Sequence, residues 1–77
     1  MSVETKIRQI ITDNADGING DEIPLDAKLL ETGLDSLDIA TILLEVQEEF
    51  GVTIPEDEEE NLATLSAIVA FVEQAKS

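Results

Sequence analysis

Apolar residues recur at helical spacing in three stretches of this chain, and turn residues separate them. Val3, Ile7, Ile10 and Ile11 lie on one face of a first helix, expected from Val3 to Ala15. Asp16-Gly17 and Asn19-Gly20 are turn signals that end it. The segment from Ile18 to Leu34 has no sustained period and contains Pro24. It reads as a long loop, pinned to the core by Ile18, Ile23, Leu25, Leu29 and Leu30, and a loop of this length inside a small domain signals function. The next stripe, Ile39, Ile42, Leu43, Val46 and Phe50, carries the strongest helical signal. Asp35 is a good N-cap for it, Asp38 stands at capping-box spacing, and Gly51 fits the stop. Pro55 suits the start of a short third helix, with the acids Glu56 to Glu60 at its positive end. Thr64 can cap a fourth helix that buries Leu65, Ile68, Val69 and Val72. No run alternates with period two for long enough to argue a sheet. The expected fold is all-α: a small four-helix bundle of three main helices and one short one, with a long first loop, in one domain over residues 1–77.

Charge narrows the function classes. The chain has 18 acidic and 4 basic residues and a formal net charge of −14. The bases are Lys6, Arg8, Lys28 and Lys76, so the stretch from Leu29 to Ala75 contains none. Such a surface repels nucleic acid and anionic membranes and attracts basic protein surfaces and divalent cations. The bland alternative is that the charge only maintains solubility. There is no cysteine and no histidine, which removes disulfides, thiolate metal sites and the commonest general base. Catalysis by this chain alone is therefore disfavoured. No stretch approaches a membrane span, and Met1 to Ile11 carries Glu4, Lys6 and Arg8, unlike a signal peptide. A cytoplasmic monomer is expected.

Three segments offer chemistry. Thr12 to Ile23 invites a calcium-loop frame because Asn14, Asp16 and Gly17 fit its third, fifth and sixth positions. The frame fails at Thr12, where an acid is needed, and at Ile23, where a bidentate glutamate is needed. Glu56, Asp57, Glu58, Glu59 and Glu60 form an acid run that reads first as a solvated face, with weak divalent binding as an addition. Gly33-Leu34-Asp35-Ser36-Leu37-Asp38 places a serine just inside a helix start, where its hydroxyl faces outward and the first-turn N–H groups tolerate an anion. The plain alternative is an ordinary first-turn serine behind a capping aspartate. No residue of this chain can activate Ser36, so any chemistry on it needs a base from another protein.

The same Gly33-Leu34-Asp35-Ser36-Leu37-Asp38 precedes a helix ending Glu48-Glu49-Phe50-Gly51, and Ile54-Pro55 follows. This arrangement resembles the acyl carrier family over essentially the whole chain, in length, acidity, helix order and long first loop. The resemblance implies that Ser36 is joined to 4′-phosphopantetheine by a phosphopantetheinyl transferase, with coenzyme A as donor and magnesium as the transferase's ion. The arm's thiol then holds an acyl group as a thioester. It also implies that Asp35, Leu37 and Asp38, extended by Leu44, Glu45 and Glu48, dock on basic and apolar patches of acyl-loading and condensing enzymes. In this family the space between the helices shelters the acyl chain. Here Ile42, Leu43 and Val46 are expected to meet it. Departures from the housekeeping fatty-acid pattern are Thr41 and Gln47 in place of frequent acids, an added Glu45, Leu34 before Asp35, Thr32 before Gly33, and Glu59 in the short helix. These point to a specialised stand-alone member.

The leading expectation is a carrier of thioester-bound acyl groups for fatty acid or polyketide-type biosynthesis. A carrier of amino acids or other short acids is the nearer alternative, and an acidic divalent-cation-binding module is the further one. A stand-alone enzyme comes last.

Overall fold

The computed structural model describes residues 2–76. Three α-helices, α1 (Val3–Asn14), α2 (Ser36–Phe50) and α3 (Leu65–Lys76), are joined by segments with three 3-10 turns at Gly20–Glu22, Leu29–Glu31 and Glu56–Asn61. Helix α1 packs against both α2 and α3 and against the Gly20–Glu22 turn. The core is one aliphatic cluster, with Ile7 and Ile11 of α1, Ile42 and Val46 of α2, and Leu65, Ile68 and Val72 of α3 fully enclosed.

The ends of the helices obey their local chemistry. Ser2 caps α1 by accepting from the Thr5 N–H. The first helix ends one residue before the expected Ala15, which is its C-cap in extended conformation. Gly51 closes α2 in the left-handed region (φ 66°), donating its N–H to the Gln47 carbonyl. The Gln47 side chain then accepts the Ile54 N–H at 2.9 Å, fixing the exit of the chain. A carboxylate could accept there too, but the amide adds a bond from Nε2 to the Leu43 carbonyl. Thr64 Oγ1 accepts the Ala67 N–H as the α3 cap. The short third helix is a 3-10 segment following Pro55.

The long first loop departs from the expectation of a structureless stretch. Two of the 3-10 turns lie in it, and polar bonds hold it at both ends. Arg8 of α1 is nearly buried, and its Nη1 donates to the carbonyls of Gly20 and Ile23, both at 2.7 Å, while Nε pairs with Glu4. Thr12 Oγ1 accepts the Gly20 N–H at 2.8 Å. At the far end the Leu29 N–H donates to the Ala63 carbonyl, and the Leu25 carbonyl accepts from the Ser66 N–H. Ile23 and Leu29 enter the core and Ile18 packs beside it, as expected. Leu25 and Leu30 do not: they are exposed, Leu30 at 62%. The polar ties supply what those two leucines were expected to contribute.

Candidate functional site

The segment before α2 is built to present its first residue. Thr32, unusual in the family pattern, closes the Leu29–Glu31 turn by donating its hydroxyl to the Leu29 carbonyl at 2.7 Å. Leu34 turns inward and is buried, which leaves Asp35 at the N-cap. Asp35 Oδ1 accepts the Asp38 N–H at 2.8 Å, and Asp38 Oδ2 accepts the Asp35 N–H at 3.3 Å. This is a capping box with aspartate at both places. Ser36 follows as the first helical residue, exposed, with no hydrogen-bond partner for its hydroxyl among the described residues.

Two surfaces of α2 meet at Ser36. Leu37, Thr41, Leu44, Glu45 and Glu48 recur at three- and four-residue spacing on the open side, where Leu37 is 75% and Leu44 56% exposed. Large apolar side chains that protrude among acids are a docking pattern more than a packing one. The other edge, Ser36, Ile39, Ala40 and Leu43, lines a cavity of about 360 Å³ facing the Glu56–Asn61 segment. Leu30 and Lys28 from the loop, and Glu59, Glu60, Leu62 and Ala63 from the far side, complete it. Exposure of Leu30 is thus explained by its place at this opening. Of the residues expected to meet a cargo, only Leu43 lines the cavity. Ile42 and Val46 point into the core, at 0% exposure. The helical stripe alone could not separate these, because core and cavity residues share one apolar arc of α2.

Asp35 and Asp38, expected as docking acids, are first of all capping residues. Glu45 and Glu48 are exposed and form no ion pair among the described residues. The acid run Glu56 to Glu60 lies on the 3-10 segment, and among the described residues no three carboxylates converge as metal ligands. In the rejected calcium frame, Thr12 and Asn14 both bond backbone carbonyls of α1. The ionic partners lie elsewhere: Lys6 pairs with Glu49 at 2.6 Å, and Lys76 sits 5.5 Å over the Phe50 ring.

The site thus belongs to a class in which an unpartnered hydroxyl at a helix start stands beside a largely apolar cavity and an acid-and-leucine face. Comparison with known proteins gives this class its name. A family model described as a phosphopantetheine attachment site matches residues 5–72. The acyl carrier protein of Akkermansia muciniphila is 36% identical over 76 residues, covering 97% of this chain and 94% of that protein. That of Solidesulfovibrio magneticus is 34% identical over 77 residues, with 99% and 97% covered. The solved acyl carrier protein from Enterococcus faecalis shares the fold, with a TM-score of 0.73 over 97% of this chain and 99% of that one, at 20% identity. The chain belongs to the acyl carrier protein family.

It bears acyl groups on a 4′-phosphopantetheine prosthetic group, and its family are carriers that work with phosphopantetheinyl transferases and acyl-handling enzymes. Among the described residues no helix is long and apolar enough to cross a membrane.

Proposed function

We propose that Ser36 is the residue to which the phosphopantetheine arm is joined, and that the cavity beginning beside it receives the acyl chain. The observation that supports this most is the position of the serine: it is the one hydroxyl that lines the cavity, and it also borders the exposed face of α2. When bound, the arm supplies a thiol that holds the acyl group as a thioester. The chain's own residues do the rest. The capping box fixes the helix start, Ser36 Oγ offers an unhindered oxygen, and the absence of histidine and cysteine leaves the base to the transferase. The reading is of a cytoplasmic, monomeric carrier in fatty acid or polyketide-type biosynthesis.

The test is intact mass after incubation with coenzyme A, magnesium and a broad-specificity transferase. The native chain gains the mass of one arm, and Ser36→Ala gains none. Mapping of the arm to Ser2, Ser66 or Ser77 would overturn the assignment.

Partners dock, in this proposal, on Leu37, Leu44, Glu45 and Glu48, with Asp35 and Asp38 at the rim. Complementary charge raises the encounter rate with a basic partner, and an exposed rim lets it leave quickly. Asp38→Lys is a poor probe of this face, because it also removes an acceptor of the capping box. Glu48→Lys is the cleaner one. It is expected to slow arm transfer several-fold at low salt through on-rate, with folding unchanged and the difference shrinking as salt screens the charges. Equal rates for Glu48→Lys and the native chain at low salt would place the docking face elsewhere.

A further inference from the structure

The four basic side chains are not used alike. Lys6 is paired with Glu49, Arg8 with Glu4 and two loop carbonyls, and Lys76 lies over Phe50. Among the described residues Lys28 alone has neither a carboxylate nor a ring for its ammonium, in a chain with 18 acids. It lines the same cavity as Ser36. Its backbone is fixed there: Lys28 bridges to Thr64, and the next N–H, that of Leu29, donates to the Ala63 carbonyl at 2.8 Å. The side chain is therefore rooted beside the cavity, and its ammonium has no partner among the described residues.

Attachment of an arm at Ser36 creates an electrostatic problem that this lysine answers. A phosphodiester is a permanent anion. At Ser36 it stands next to Asp35 and Asp38 in sequence, and it shares the cavity with Glu59 and Glu60. The free N–H groups of the first turn of α2 offset only part of this, since Asp35 already takes the Asp38 N–H. From Leu29 to Ala75 there is no other cation.

We propose that Lys28 is a positioning residue for the prosthetic arm: its ammonium pairs with the phosphodiester on Ser36 and turns the arm toward the cavity. This rests on the assignment of Ser36 as the attachment residue. An arm held by Lys28 leaves Ser36 on the cavity side of α2, and the open face with Leu37 and Leu44 stays clear for partners. Loss of the pair frees the arm into solvent.

The experiment compares arm-bearing native protein with arm-bearing Lys28→Met and Lys28→Arg by NMR. Mass spectrometry first confirms one arm on Ser36 in each. The ³¹P resonance of the phosphodiester is expected to move in Lys28→Met and to return toward the native position in Lys28→Arg. Contacts from labelled arm protons to the Leu43 and Leu62 methyls are expected to be lost in Lys28→Met and kept in Lys28→Arg. High salt should move the native ³¹P resonance toward the Lys28→Met value, as screening of an exposed pair requires. The Lys28 ammonium proton signal is expected to sharpen when the arm is attached. A merely structural lysine would disturb the methyl spectrum of the arm-free protein, which is expected to be the same in all three. Identical ³¹P positions and arm contacts in native and Lys28→Met proteins overturn the inference alone and leave Ser36 standing. So does an ammonium signal already sharp without the arm, which assigns Lys28 to Glu59 or Glu60. An arm mapped to another residue overturns both readings.

Discussion

Gly20→Ala is expected to destabilise the fold by about 3 kcal/mol or more. Gly20 is buried where the first loop crosses α1, and a Cβ there would stand 2.0 Å from the Arg8 carbonyl oxygen and 2.9 Å from Thr12 Oγ1. The first of these is backbone in a helix interior, which cannot swing aside as a side chain can. Relief requires the loop to lift. Lifting stretches the Thr12 bond to the Gly20 N–H and the Arg8 bonds to the Gly20 and Ile23 carbonyls. Charge-assisted bonds such as those of Arg8 contribute about 1.5–3 kcal/mol. At this chain length a loss of 3 kcal/mol lowers the melting temperature by roughly 12–24 °C. Thermal unfolding followed by circular dichroism reads this directly. A shift of less than about 4 °C, the smallest expected for 1 kcal/mol, would show that the loop does not need this close approach.

That single position illustrates which parts of the structure the sequence carries openly. Helix content is local: the stripe Ile39, Ile42, Leu43, Val46 and Phe50, the Asp35 cap with Asp38, Gly51, Pro55 and Thr64 all act within a few residues of themselves, and all stand where their types predict. The loop is not local. Asn19-Gly20 reads as a turn, yet the reason for glycine at residue 20 is the α1 backbone 12 residues earlier, at Arg8. Arg8 reads as half of an i,i+4 pair with Glu4, and that pair exists, but its larger use is on the loop carbonyls. Leu25 and Leu30 read as core because they are leucines in a segment that must be anchored. Hydrophobicity alone does not say which apolar residues of an aperiodic segment turn inward.

The same limit applies at the site. Ser36, Leu37, Leu44, Glu45 and Glu48 are legible because one helix sets their relative positions. The cavity is not, because its walls come from three separated stretches, around residues 28–30, 36–43 and 59–63. Glu59, visible in the sequence as one acid of the Glu56 to Glu60 run and as a departure from a family pattern, proves to be one of its lining residues. Lys28 gives no sequence signal beyond being an isolated cation. Its meaning comes from sharing a cavity with a serine eight residues later.

Loading the Ser36 arm with saturated acyl chains of increasing length is expected to raise the melting temperature step by step until the cavity is filled. Ile39, Ala40, Leu43, Leu62, Ala63 and Leu30 give it largely apolar walls, and Ser36 is itself one of its lining residues, so a chain on the Ser36 arm can reach it without breaking the core. Each buried methylene contributes about 0.8 kcal/mol before the cost of restricting the chain is subtracted. If about half survives that cost, a step of two methylenes contributes roughly 0.8 kcal/mol, and the melting temperature rises by roughly 3–6 °C per step. The methyl resonances that move with chain length are expected to be those of Ile39, Leu43 and Leu62. Ile42 and Val46 should stay nearly fixed, since they are fully enclosed in the core and do not line the cavity. Ala63→Phe fills the cavity from its far wall, so the stepwise rise should vanish, and with it the contacts of the bare arm to the Leu43 and Leu62 methyls, while one arm is still joined at Ser36. Movement of Ile42 and Val46 would instead put the chain between α1 and α2. A flat melting temperature at every length would mean that the cargo stays outside the protein, as suits an amino acid or another short acid, whose polar groups gain nothing from these walls.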